Sequence, residues 1–265
     1  MTNRMTGGAI GLTILLVAIT TLTGCLSTTA RRPIPAPWVP EVGAEESRRP
    51  PVGEVAPVYF LSQPPTIDGD MSEWAGLVSA EPYVSVYGGG HQPADASGQF
   101  TIATDGTVLY VHADITDDVP NENPLPPAMA WRNDSIEVFF GVDAGRHRTY
   151  SATDAQIRIV PVNKNDSTAY SLSINDVDFT EHTDARVVYT ESGYALEAAI
   201  GLDLLGIEQV RPGQDVRVEF QINDGDGTER DRLIHWMSEK DDPWYDPSVW
   251  GDGTVVRPEE MSNEN

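Results

Sequence analysis

The chain is poor in cysteine, in basic residues and in long apolar runs. Its single cysteine among 265 residues, Cys25, excludes a disulfide within the chain, so packing and hydrogen bonding must hold the fold. Lysine and arginine number 17 against 41 acids, for a net charge of −24. Phosphate backbones repel such a surface, which argues against nucleic acid as a partner. A solvated acidic surface accounts for most of these acids, and the charge also suits divalent cations. No stretch carries the 3.6-residue apolar spacing of a long helix, and only 202–207 reads as a helical turn. No internal repeat is present. The longest mostly apolar run, 9–22, is too short and too rich in glycine and threonine for a membrane span.

That run follows a short polar start containing Arg4 and reads as the core of a signal peptide. It ends in L-T-G-C, Leu22 to Cys25, which resembles the bacterial lipobox. The resemblance implies a signal peptide over 1–24 and a lipid on the Cys25 thiol. More than one acyl chain holds a protein on a bilayer, so the expected place is the cell envelope, membrane-anchored and extracytoplasmic. Leu26, not aspartate, follows the cysteine, which points to the outer membrane where a cell has one. Residues 25–57 hold Pro33, Pro35, Pro37, Pro40, Pro50, Pro51 and Pro57 and read as a stiff, extended tether. The folded domain is expected over 58–257, followed by a disordered tail over 258–265.

Within the domain the pattern is short strands and turns. Strands are expected near 58–61, 99–103, 107–114, 135–142, 155–160, 169–174, 185–189, 194–200, 216–222 and 233–236. Asp105-Gly106 marks a tight hairpin between the second and third of these. Many short strands without helices predict an all-β fold, an antiparallel β-sandwich of jelly-roll or immunoglobulin-like type.

Several stretches invite chemistry. Asn223 to Asp231, N-D-G-D-G-T-E-R-D, resembles a calcium loop, yet Glu229 stands where that loop needs glycine and His235 where it needs an acid. A polar hairpin turn is the favoured reading, with a looser calcium site on Asp224 or Asp226 left open. Asp68, Asp70 and Glu73 near the start of the domain offer oxygen ligands to a hard cation, or else cap a turn. In 135–142, Glu137 shares a face with Phe139; in 155–160, Gln156 shares one with Arg158. Glu137 and Arg158 make either an ion pair on a solvated face or a polar floor for sugar hydroxyls. Trp131, Trp244, Tyr245 and Trp250 sit in polar loops, as exposed platforms do, whereas Trp74 and Trp236 adjoin apolar segments and read as core.

The order of these stretches resembles the family 9 carbohydrate-binding modules. The resemblance rests on I-D-G-D-M-S-E-W (Ile67 to Trp74), L-Y-V-H-A-D-I-T-D (Leu109 to Asp117) and W-R-N-D-S-I-E-V-F (Trp131 to Phe139). It continues through D-A-Q-I-R (Asp154 to Arg158), G-Y-A-L-E-A-A-I (Gly193 to Ile200), Asn223-Asp224 to Arg230, and W-Y-D-P-S-V-W-G (Trp244 to Gly251). It implies a non-catalytic β-sandwich in which Trp131 and Trp244 clamp a terminal sugar. Glu137, Arg158 and Gln156 would then supply polar contacts. It also implies structural calcium in some members, with Asp68, Asp70 and Asp154 as the ligands to consider. Val160 stands where a further polar residue would help, and Asp241 where an amide is expected. The implied partners are a xylan- or glucan-type polysaccharide or its fragments, and secreted glycoside hydrolases.

Three rivals differ in what they require. A glycoside hydrolase needs two flanking carboxylates, Glu137 with Asp134 or Asp154, but an arginine beside Glu137 spoils an acid role. A haem-binding sandwich needs an axial pair such as His112 and Met237. A structural envelope domain needs no ligand at all.

Overall fold

A computed structural model describes residues 55–261 except 78, 79, 124 and 228. The expected signal peptide, Cys25 and the tether up to residue 54 lie outside the described residues, as do 262–265. The described chain forms thirteen strands. These are β1 (Val55–Phe60), β2 (Val84–Tyr87), β3 (Ala96–Thr104), β4 (Val108–Asp117), β5 (Ser135–Gly141), β6 (Asp154–Pro161) and β7 (Tyr170–Ile174). They continue with β8 (Val177–Asp178), β9 (Asp184–Thr190), β10 (Gly193–Gly201), β11 (Asp215–Asp224), β12 (Arg232–His235) and β13 (Gly251–Val256). The expected helical turn is a 3-10 turn, Leu202–Leu205. Where a disordered tail was expected, Pro258–Met261 make one α-helical turn.

The strands follow one path, β8-β7-β6-β5-β11-β13-β1-β3-β4-β10-β9, with β12 joining β11 to β2 at its side. The sheet curls into a sandwich over a shared core. Ile136, Val138 and Phe140 of β5 and Val218, Phe220 and Ile222 of β11 meet Phe100 and Ile102 of β3 and Val111 of β4 there. The rings of Phe100 and Phe220 lie 5.0 Å apart across the two halves. Alternation dictates this, because every second side chain of each strand faces the same way.

One pairing departs from the antiparallel expectation. β1 runs parallel to both neighbours, β13 and β3. No hairpin links β1 to either strand, so turn geometry does not set its direction. Burial does: Ala56 and Val58 are in the core. Alternation shows which face is buried but not which way the neighbour runs.

The β3–β4 hairpin forms where Asp105-Gly106 places it. Asp105 Oδ1 accepts from the Thr107 and Val108 N–H groups at 2.8 and 2.9 Å, and Gly106 takes φ +103°, which a side chain would strain.

The opening motif is locked onto the sheet by a distant acid. Glu197 of β10 is buried; it accepts from Gly69 N–H at 2.6 Å and from Trp74 Nε1 at 3.2 Å. Trp74 then stacks on His112 of β4, ring centres 5.2 Å apart and 19° from parallel. Both ring nitrogens of His112 face protein oxygens, Nδ1 the Leu196 carbonyl at 3.0 Å and Nε2 Asp114 at 3.3 Å, which removes it as a haem ligand. Trp74 and Trp236 are core residues, as expected.

Candidate functional site

The polar faces of β5, β6 and β11 build a buried floor. The ladder sets Glu137 opposite Arg158 on one side and opposite Gln221 on the other. Arg158 Nε donates to Glu137 Oε1 at 2.9 Å, Asn223 Nδ2 donates to the same oxygen at 3.0 Å, and Gln156 Nε2 donates to Oε2. Glu137, Arg158, Gln156, Gln221 and Asn223 are all buried, so this is not an ion pair on a solvated face. Opposite charges this deep require such full pairing to be tolerated. Arg158 also donates from Nη1 to Asp176 and to the Pro127 carbonyl, both at 2.8 Å, while its Nη2 has no partner.

The Pro127 bond matters because Pro127–Arg132 is the 3-10 turn that carries Trp131. Asn123 Nδ2 donates to the Ala130 carbonyl at 2.8 Å and fastens the same turn. Trp131 is half-buried, its Nε1 donating to the Ala128 carbonyl at 3.2 Å. The Arg230 guanidinium lies over its ring, 5.1 Å from the centre, and 6.0 Å from the ring of the exposed Tyr87. Arg230 Nη1 donates to Asn223 Oδ1 at 3.1 Å, and Nη2 to Asp241 Oδ2 at 2.8 Å. The Asp241 carbonyl accepts from Trp244 Nε1 at 3.1 Å. Floor and both aromatics are therefore one hydrogen-bonded system, with Arg230 at the joint. Asp241 Oδ1 is buried without a partner.

Beside the floor, His235 is fully buried, with Nε2 3.0 Å from Gln221 Oε1 and Nδ1 3.2 Å from the Ser238 carbonyl oxygen. Burial pushes its pKa down to about 4, so near neutral pH the ring is uncharged and donates from one nitrogen only. Glu219 accepts from the N–H groups of Phe220, Trp236, Met237 and Ser238 and so shapes the turn after β12. Burial pushes its pKa up to about 8 against those donors.

The structure thus joins Trp131, Glu137, Gln156, Arg158 and Trp244, and adds Asn223, Arg230 and Tyr87, which the residue-level reading did not single out. Arg230 and Asn223 stand in a motif stretch; Tyr87 lies on β2, which alternation alone did not show. Trp250 is corrected. It is fully buried, bonds the Pro243 carbonyl through Nε1 at 3.0 Å and packs on Phe139 and Tyr150, so it backs the loop and is no platform. Tyr245 is half exposed and packs edge-on against Trp244.

The acids Asp68, Asp70 and Asp154 form no common cluster among the described residues. Asp68 and Asp70 cap successive turns, accepting from the N–H groups of Asp70 and Ser72 at 2.9 and 3.0 Å. Asp154 is buried and accepts from Ser151 N–H at 2.7 Å, with His147 Nε2 also at 2.7 Å. Each has its partner within the protein. The carboxylates that do converge are Asp117, Asp224 and Asp226, and, sharing Asp226, Asp95 and Asp118.

A family model described as carbohydrate family 9 binding domain-like matches residues 67–257. Endo-1,4-beta-xylanase A of Thermotoga maritima is 27% identical over 199 residues, 73% of this chain and 17% of that enzyme. Endo-1,4-beta-xylanase C of Paenibacillus barcinonensis is 29% identical over 191 residues, 71% of this chain and 16% of that enzyme. This chain therefore spans only a small share of the xylanases it matches. A carbohydrate binding module family 9 from Caldicellulosiruptor kristjanssonii in complex with cellotriose shares the fold, with TM-score 0.62 and 23% identity over 77% of this chain and 94% of that one. The module in complex with glucose gives TM-score 0.61 and 24% identity over 77% and 96%. The matched segment takes in every strand from β2 to β13, and on that ground the chain belongs to the carbohydrate family 9 binding domain-like family.

Proposed function

We propose that this protein is a non-catalytic, membrane-anchored binder of xylan- or glucan-type chains, holding a terminal sugar between Trp131 and Trp244. The observation that carries the reading is the continuous hydrogen-bonded system from Glu137 and Arg158 through Asn223 and Arg230 to Asp241 and Trp244. A pyranose ring has apolar faces that suit indole and equatorial hydroxyls that suit charged, planar donors and acceptors. Arg158 Nη2 and Asp241 Oδ1, a donor and an acceptor without protein partners, supply the polar contacts a sugar would complete. Gln156, through its bond to Glu137, fixes the carboxylate rather than meeting the ligand first. The solved relatives that hold cellotriose and glucose support a β-linked glucan or its end as ligand.

Stacking contributes on the order of 1 kcal/mol per ring beyond buried area. One clamped sugar therefore binds with micromolar to millimolar affinity. Lipid on Cys25 would hold the domain at the envelope surface, where secreted glycoside hydrolases release such fragments; the anchor and the catabolic role belong to this proposal. Calorimetry with the full-length chain in a non-glycosidic detergent tests it, using cello- and xylo-oligosaccharides before and after borohydride reduction. Heat lost on reduction and in Trp131→Ala and Trp244→Ala is expected. Heat that survives reduction means that chain interiors are read, and no heat with either series overturns the glucan and xylan assignment.

A further inference from the structure

Three acids continue core-facing rows of apolar side chains at one end of the sandwich. In β4 the inward row is Leu109, Val111, Ala113 and Ile115, and the next inward position is Asp117. In β11 it is Val218, Phe220 and Ile222, and the next is Asp224. In β5 it is Phe140, Val138 and Ile136, and the position before them is Asp134. Two facing halves of the sheet thus push carboxylates toward one another where apolar side chains would otherwise meet.

Asp224 is only 3% exposed, and neither of its carboxylate oxygens has a hydrogen-bond partner. One oxygen each from Asp117, Asp224 and the exposed Asp226 lie within 4.8 Å of one another. The charges that weigh most on Asp224 are Asp117, Asp226, Asp118 and Asp231, all acids; burial and these neighbours push its pKa up to about 7. Asp134 is pushed up by burial first and then by Asp117. An unpaired buried charge is costly, and three together without a cation are more so.

The donor set is oxygen only, which suits a hard cation and not zinc. Two oxygens on one calcium lie no more than about 5 Å apart, twice the Ca–O distance, and several carboxylates with an open side suit calcium better than magnesium. We propose that Asp117, Asp224 and Asp226 hold a calcium ion that ties the end of β4 to the end of β11 and to the 225–231 loop. Behind them Asp134 accepts from the N–H groups of Asn121 and Gly225 and so fixes both loop starts. Gly225 suits this place, since a Cβ there would come within 2.8 Å of the Glu229 carbonyl oxygen. The ion would thereby brace the two loops that carry Trp131 and Arg230.

The test needs no sugar. Thermal unfolding of the full-length chain in detergent is compared in calcium chloride and in EDTA, and terbium emission is excited through the nearby Tyr189 and Tyr194. The expected result is a melting temperature higher by roughly 5 °C or more in calcium. Terbium emission should appear and be competed away by calcium. Asp224→Asn should weaken calcium binding at least about tenfold, the loss of one buried charged ligand. Should that variant fail to fold, Asp226→Asn in the exposed loop replaces it with the same expectation. Equal melting temperatures in calcium and EDTA, or a variant that keeps the wild-type calcium response, overturns the proposal.

Discussion

Glu137 and Asp224 are buried carboxylates on neighbouring strands, β5 and β11, in opposite surroundings. Glu137 receives Arg158, Asn223 and Gln156, donors the protein supplies from adjacent strands. Asp224 receives none and faces Asp117 and Asp226. The first centre is complete within the chain, so it is a preorganised floor that holds its shape before a ligand arrives. The second is balanced only by something from outside, a proton or a cation. Burial of charge does not by itself mark a site; what matters is whether the fold answers the charge.

The comparison breaks most sharply at Arg158. Arg158→Met strips Glu137 of its cation and should cost about 3–5 kcal/mol in urea unfolding. Arg158→Met with Glu137→Met should recover much of that loss, because no buried charge is then left alone. An equal loss in the single and double variants would show that packing, not charge, dominates.

Next in size is the platform above the floor. Trp131→Ala and Trp244→Ala should each lower oligosaccharide affinity by roughly 10- to 100-fold in calorimetry while leaving the fold intact, since both rings are only half-buried. A loss of binding matched by a loss of folding would assign these rings to structure.

Glu219 lies between the two extremes, since backbone N–H groups answer it but no cation does. Its folded pKa of about 8 lies above the ordinary 4.5. The folded state then holds the proton more tightly, so this contribution is full below pH 4.5 and is lost as pH rises through about 8. Glu219→Gln should remove a slope of about 1.4 kcal/mol per pH unit in that window, read from denaturant unfolding across pH. An unchanged slope would mean that Glu219 stays ionised throughout.

The smallest effect has the most informative sign. In EDTA, Asp224→Asn should stabilise the fold by up to about 1 kcal/mol, because it removes a repelled charge. Neutralising Glu137 as Gln should destabilise it, because Arg158 is then left buried and alone. Opposite signs for the two swaps sharpen the contrast; equal signs erase it.

Much of this was legible in the chain. The strands that hold the floor alternate cleanly, and the Glu137–Arg158 pairing followed from facing positions on consecutive strands. β2, β8 and β13 were not visible, because they are short or begin in glycine and owe their existence to the strand they lie against. Trp250 misled because its neighbours in sequence are polar, while its neighbours in space are Phe139 and Tyr150. Asp68 and Asp70 misled because a capped turn and a cation loop use the same residue types.

The sequence by itself determined the class of fold, the order of its strands and the faces that each buries, because alternation and turn chemistry are local. It also placed aromatics in loops beside a polar strand pair. Tertiary structure alone decided the parallel placement of β1, the joining of Trp131 to Trp244 through Arg230, and the convergence of Asp117, Asp224 and Asp226. The physical reason is range: these depend on residues about a hundred positions apart, brought together only when both halves of the sheet close on one core.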